Sequence, residues 1–103
     1  MSVKNTYGIG KIVIHSDAKS YCWLGKAWYT NHFEVEIEPA EDIPDYCELD
    51  AFIAKTIEGE SLIIEESVDL LYNHIVETYK PKKCKVTSRV NDAHHSAVEI
   101  TKE

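Results

Sequence analysis

With 18 acidic against 11 basic side chains in 103 residues, the chain carries a formal net charge of −7. That balance excludes a generic nucleic-acid coat, which needs lysine and arginine to neutralise phosphates. The length suits a single domain, residues 1–103, built on one core, and no apolar run approaches the roughly 18 residues of a membrane span.

The N-terminal run Met1-Ser2-Val3-Lys4-Asn5 lacks the apolar stretch of a signal peptide. Cys22, Cys47 and Cys84 are odd in number and have no paired short spacing, which argues against a disulfide framework and against a zinc knuckle. The expected setting is the reducing cytoplasm.

Gly8-Ile9-Gly10 is a loop signal, and Lys11 to His15 follows as a short strand-forming run. Ser16 to Ser20 is expected to break it and to lead into a cysteine loop, Lys19-Ser20-Tyr21-Cys22-Trp23-Leu24-Gly25-Lys26. Cys22 has a lysine three residues before it and another four after, with Trp23 and Trp28 in the same segment. Nearby positive charge favours the thiolate, the reactive form of cysteine, and flat apolar side chains suit a planar ligand. The alternative is an inert, half-buried thiol, since cysteine is among the most buried residue types.

From His32 the pattern alternates strictly, Phe33, Val35 and Ile37 against Glu34, Glu36 and Glu38. This predicts a half-buried strand with an acidic solvated face, ended by Pro39. Tyr46 to Ile57 has helical spacing through Leu49, Phe52, Ile53 and Ile57, and Gly59 stops it. A longer helix is expected from about Ser61 to Tyr79, with Ser61 as N-cap, a stripe of Ile64, Val68, Leu71 and Ile75, and Pro81 closing it. Cys84, Val86, Ser88 and Val90 alternate with Lys85, Thr87 and Arg89, Asn91-Asp92 marks a turn, and Ser96 to Thr101 reads as the last strand. The order strand–strand–helix–helix–strand–strand predicts an α+β fold, an antiparallel four-stranded sheet with two helices on one face. Four strands leave two edges, which copies of the chain are expected to pair into a barrel.

The five histidines show no metal-ligand spacing, so metal dependence is not expected. There is no G-x-G-x-x-G, no Walker loop and no G-x-S-x-G. Lys80-Pro81-Lys82-Lys83-Cys84-Lys85 is the one basic cluster, and the place to expect contact with a phosphate backbone. Glu65-Glu66 near the start of the long helix and Glu48 near the start of the short one suit the helix dipole. A carboxylate fixed at a helix end can also accept two hydrogen bonds from a guanine-like edge.

The element order, the cysteine after the first strand and the carboxylate opening the long helix resemble the tunnelling-fold enzymes of 7-deazapurine metabolism. These are the QueF nitrile reductases and, closer in length, the QueF-like archaeosine synthases of tRNA modification. The stretches that carry the resemblance are Lys19-Ser20-Tyr21-Cys22 and Ile63 through Leu71. It implies that Cys22 attacks the nitrile carbon of 7-cyano-7-deazaguanine to give a covalent thioimidate. It also implies that Glu65 anchors the base, with Glu48 as second candidate. In the reductases NADPH then delivers hydride; in the archaeosine synthases ammonia attacks the thioimidate on tRNA and gives an amidine, with no cofactor. The lysine-containing cofactor motif of the reductases is replaced here by Glu48-Leu49-Asp50-Ala51-Phe52-Ile53, which points to the ammonia-dependent branch. Ile64 stands where the reductases have a histidine. The family's aspartate, seven residues after the cysteine, corresponds to Tyr29, or to Asn31 if the loop is two residues longer. These two are the candidates for its role as proton donor or thiol activator. The resemblance further implies a ring-shaped homo-oligomer.

Overall fold

Alternation with a period of two builds the centre of the fold, and the computed structural model describes it for residues 3–103. The elements are β1 (Val3–Lys4), β2 (Ile12–Cys22), β3 (Ala27–Glu38), β4 (Asp42–Ile43), α1 (Tyr46–Thr56), α2 (Ile64–Tyr79), β5 (Lys83–Val90) and β6 (Val98–Lys102). The four long strands form one antiparallel sheet in the order β2-β3-β5-β6, while β1 and β4 pair separately as a short ribbon. This is the α+β arrangement expected from the sequence.

The first hairpin corrects the sequence reading. Ser16 to Ser20 does not break the strand: β2 runs eleven residues, and each pairs with β3 from Ile12↔Ile37 to Cys22↔Ala27. The cysteine therefore ends a strand, and only Trp23 to Lys26 form the turn. Ser16, Ala18 and Ser20 lie on the helix-facing side, where their small or polar side chains hide the alternation. The same holds for the first half of β3, whose inward positions are Ala27, Tyr29 and Asn31.

The helices cover that face. Asp45 caps α1, its carboxylate accepting from the Cys47 and Glu48 N–H groups at 3.0 and 3.1 Å. Leu49 and Ile53 of α1, with Ile57 just after it, and Val68, Leu71, Ile75 and Tyr79 of α2 meet Phe33, Val35, Ile37 and Val86 in the main core. These helical positions recur at three and four residues, the spacing of one buried face. The expected helix start at Ser61 is also corrected. Ser61 forms an isolated parallel bridge with Tyr21, and the N-cap is Ile63.

The connector between the helices runs along part of the β2 edge. The Gly59 N–H donates to Lys19 O at 2.7 Å, the Tyr21 N–H to Glu60 O at 2.8 Å, and the Leu62 N–H to Tyr21 O at 2.9 Å. The outer sheet face is uncovered by helix, and two of the three acids of its stripe, Glu34 and Glu36, are paired rather than merely solvated. Glu36 lies 3.1 Å from Lys11 and 3.9 Å from Lys85, and Glu34 lies 3.6 Å from Arg89. Among the described residues no helix is long and apolar enough to cross a membrane.

Candidate active site

Cys22 pairs with Ala27 at the end of the hairpin and packs, half-buried, against a small cluster of Tyr29, Ile64 and Val90. Ile64 is the first residue of α2, so the thiol lies beside a helix N-terminus. The first N–H groups of a helix have no intrahelical acceptor and carry positive potential, which favours an anion nearby. Ile63, the N-cap, makes no side-chain capping bond. The four-residue turn folds back on the cysteine: the Lys26 N–H donates to Cys22 O at 2.7 Å, and the Gly25 N–H donates to Cys22 Sγ at 3.2 Å. Lys26 adopts a left-handed conformation to close it, with φ at 55°. This contact of a backbone N–H with the sulfur is an arrangement that spacing alone did not reveal.

The two acids opening α2 differ. The Oε1 atom of Glu66 accepts from the Ile63 N–H at 2.9 Å and from the Trp23 indole N–H at 2.7 Å. Those bonds, the Ile63 one foremost, hold the Glu66 carboxyl below its ordinary range. Glu65 is exposed and has no hydrogen-bond or ion-pair partner among the described residues, leaving its carboxylate open to a ligand.

Tyr29 and Asn31 sit on the same face as Cys22, inside the protein. The Tyr29 hydroxyl donates to Leu62 O at 2.7 Å and lies 3.2 Å from Ser67 Oγ, and burial pushes its pKa up. Asn31 is fully buried; its Oδ1 accepts from Ser88 Oγ at 2.9 Å and its Nδ2 faces Ala18 O at 3.4 Å. Ser20 completes this buried polar group by donating to Ile57 O at 2.8 Å. The chain thus places Cys22, Tyr29 and the start of α2 together, with Asn31 one inward position further along β3.

Glu48 is held elsewhere, between the helices. Its carboxylate lies 2.9 Å from His74 Nε2 through both oxygens and accepts from the Tyr79 hydroxyl at 2.6 Å. Burial opposes its charge, yet the Tyr79 and His74 hydrogen bonds outweigh that and keep its pKa low. His74 also stacks on Phe52, with ring centroids 3.9 Å apart. The partner of His74 comes from α1, 26 residues earlier, so no spacing along its own helix reveals it. Lys82, Lys83 and Lys85 of the basic cluster line a half-open groove of about 670 Å³ together with Lys11, Glu36 and Glu38. It lies at the far end of the sheet from Cys22, because Lys83 pairs with Glu38 whereas Cys22 pairs with Ala27. Among the described residues no three His, Cys, Asp or Glu side chains form a metal-binding group.

Two helices against one face of a β2-β3-β5-β6 antiparallel sheet are consistent with the tunnelling fold. One solved structure with this fold is the archaeosine synthase QueF-Like in its apo form, which superposes with a TM-score of 0.81 over 92% of this chain and 93% of that one, at 18% sequence identity. No family model matches the chain, and no curated protein matches it.

Proposed function

We propose that the chain is a QueF-like amidinotransferase of the queuosine and archaeosine pathways, acting on the nitrile of 7-cyano-7-deazaguanine, most simply when the base is carried in tRNA. The observation that supports this best is the thiol of Cys22 at a strand end beside the first turn of α2, in a fold shared with an archaeosine synthase. The Cys22 thiolate adds to the nitrile carbon, forming a C–S bond, while one pair of the triple bond moves to nitrogen. Protonation of that nitrogen gives the thioimidate; general acid help of this kind is typically worth about 10²–10⁴-fold. Ammonia then adds to the same carbon, the C–S bond breaks, and an amidine leaves with the thiolate restored. No electrons are transferred, so NADPH has no part in this scheme; it belongs only to the reductase alternative.

Glu65 is assigned to the base edge, where a carboxylate accepts two N–H donors. Glu48 is already bonded to His74 and Tyr79, so it supports the helix pair in this scheme. The Tyr29 hydroxyl hydrogen is committed to a carbonyl and Asn31 has no acidic proton. Both therefore shape the floor beneath Cys22, and the proton reaches the imide nitrogen from Lys26 or from water at the open turn. Copies of the chain joined through their β2 and β6 edges close a ring, and elution at monomer mass would count against that part of the scheme.

The commitment of Tyr29 favours a second reading, a noncatalytic module that binds a purine-like ligand. Intact mass spectrometry after incubation with 7-cyano-7-deazaguanine separates the two. A gain of one ligand mass in wild type that is absent in Cys22→Ala supports the thioimidate. Reversible binding without an adduct, for both the free base and tRNA carrying it, supports the binding module.

A further inference from the structure

We propose that Trp23 and Glu66 form a latch that fixes the Cys22 turn against the N-terminus of α2, making Trp23 a positioning residue for the thiol. The consequence for catalysis rests on the amidinotransferase reading; the latch itself does not. Trp23 directly follows Cys22 and is 49% exposed, so packing alone does not hold it. Its indole N–H reaches Glu66 Oε1 at 2.7 Å, and the same oxygen accepts the Ile63 N–H at 2.9 Å. One carboxylate oxygen therefore joins the residue after the nucleophile to the N-cap of α2. Residues 43 apart in sequence are tied across the site by one atom.

The turn needs such a tie. Leu24 is exposed, Lys26 is in a left-handed conformation, and the Gly25 N–H must stay aimed at Cys22 Sγ. With the latch made, the sulfur keeps a fixed place relative to the first turn of α2, where Glu65 stands one residue before Glu66. Glu66 is occupied by the latch and the helix start, which leaves Glu65 as the carboxylate for the ligand. A ligand held by Glu65 then finds its electrophilic carbon at a set distance from the thiol. Positioning of this kind acts on the reaction step more than on ligand affinity.

Amide hydrogen exchange tests the latch without any ligand. Trp23→Phe keeps the ring and removes the N–H donor. It is expected to speed exchange at Gly25 and Lys26 roughly tenfold, the order for loss of one hydrogen bond to a charged acceptor. Glu66→Ala should do the same, Glu66→Gln should recover part of the protection, and Trp23→Phe with Glu66→Ala should be no faster than Glu66→Ala alone. Unchanged exchange in Trp23→Phe, or additive effects in the pair, would overturn the proposal. If wild type forms the adduct, Trp23→Phe should slow its limiting rate roughly tenfold at similar half-saturation, while iodoacetamide labelling of Cys22 changes less than about twofold. Equal slowing of both reactions would assign Trp23 to general upkeep of the turn instead. Absence of any adduct in wild type would sink the proposed function and leave the exchange result standing.

Discussion

Truncating Glu48 should cost stability through two identifiable contacts. The Tyr79 hydroxyl donates to Glu48 at 2.6 Å, and its other acceptor, the Asp45 carbonyl, is 3.5 Å away. His74 Nε2 sits 2.9 Å from the same carboxylate, whose side chain is 30% exposed. Hydrogen bonds to charged groups contribute about 1.5–3 kcal/mol each, and partial exposure favours the low end. Glu48→Ala is therefore expected to lose about 2–3 kcal/mol and Tyr79→Phe about 1.5 kcal/mol. In a domain of this size each kcal/mol lowers the Tm by roughly 4–8 °C. Urea melts of the two single variants and the double variant should show a coupling of about 1.5 kcal/mol. Additivity within roughly 0.5 kcal/mol would refute the claim that the contact stabilises the helix pair. The pH dependence gives a second check. The folded pKa of Glu48 is depressed, so its contribution is complete above the ordinary carboxylate range and disappears as the pH falls through the depressed value. Tyr79→Phe should flatten that acid limb.

Asn31→Asp would place a carboxylate oxygen against Ala18 O in a fully buried site. It should lower stability by about 3 kcal/mol at neutral pH, measured by chemical denaturation, with partial recovery in acid. Lys80 holds φ at 45° where α2 ends, its N–H bonded to Val76 O at 3.1 Å. Lys80→Gly removes the left-handed strain and should raise stability by about 0.5–1 kcal/mol in thermal melts. Burial pushes the Cys84 thiol up to about 11. Timed alkylation followed by peptide mapping should therefore modify Cys47, which is exposed, well before Cys84.

The helices were legible because their burial obeys one period: Leu49, Ile53 and Ile57, then Ile64, Val68, Leu71, Ile75 and Tyr79, are all apolar and all inward. The second half of β3 was legible for the same reason. Its first half and most of β2 were not, because the inward residues there are Ser16, Ala18, Ser20, Tyr29 and Asn31, small or polar side chains that mimic a loop. Of these, Ser20, Tyr29 and Asn31 form the buried polar group beside Cys22, so the pattern fails where the candidate site begins. The start of α2 was misplaced because Ser61 is a good cap by composition, yet its backbone is taken by Tyr21. Glu66 reaching back to Ile63 is the signal that fixes the start, three residues on from the true N-cap. The links from Trp23 to Glu66 and from Glu48 to His74 span 43 and 26 residues. No local window contains them.

The two borders of the sheet are unequal in a way that governs how another strand can join. On the β2 side, Lys19 and Tyr21 have spent their outward carbonyl and amide groups on Glu58, Gly59, Glu60 and Leu62. By the period of two, the groups of Val13, His15 and Asp17 point the same way, and among the described residues they have no backbone partner on that side. An incoming strand can therefore zip along the first half of β2, and meets a stop where the connector begins. Register on a flat edge is ordinarily free to slip in steps of two. Here the connector acts as an end-stop that allows a strand of about five residues, the length of β6 itself. A β6-like strand docked there would have its register fixed by an obstacle, without help from its side chains.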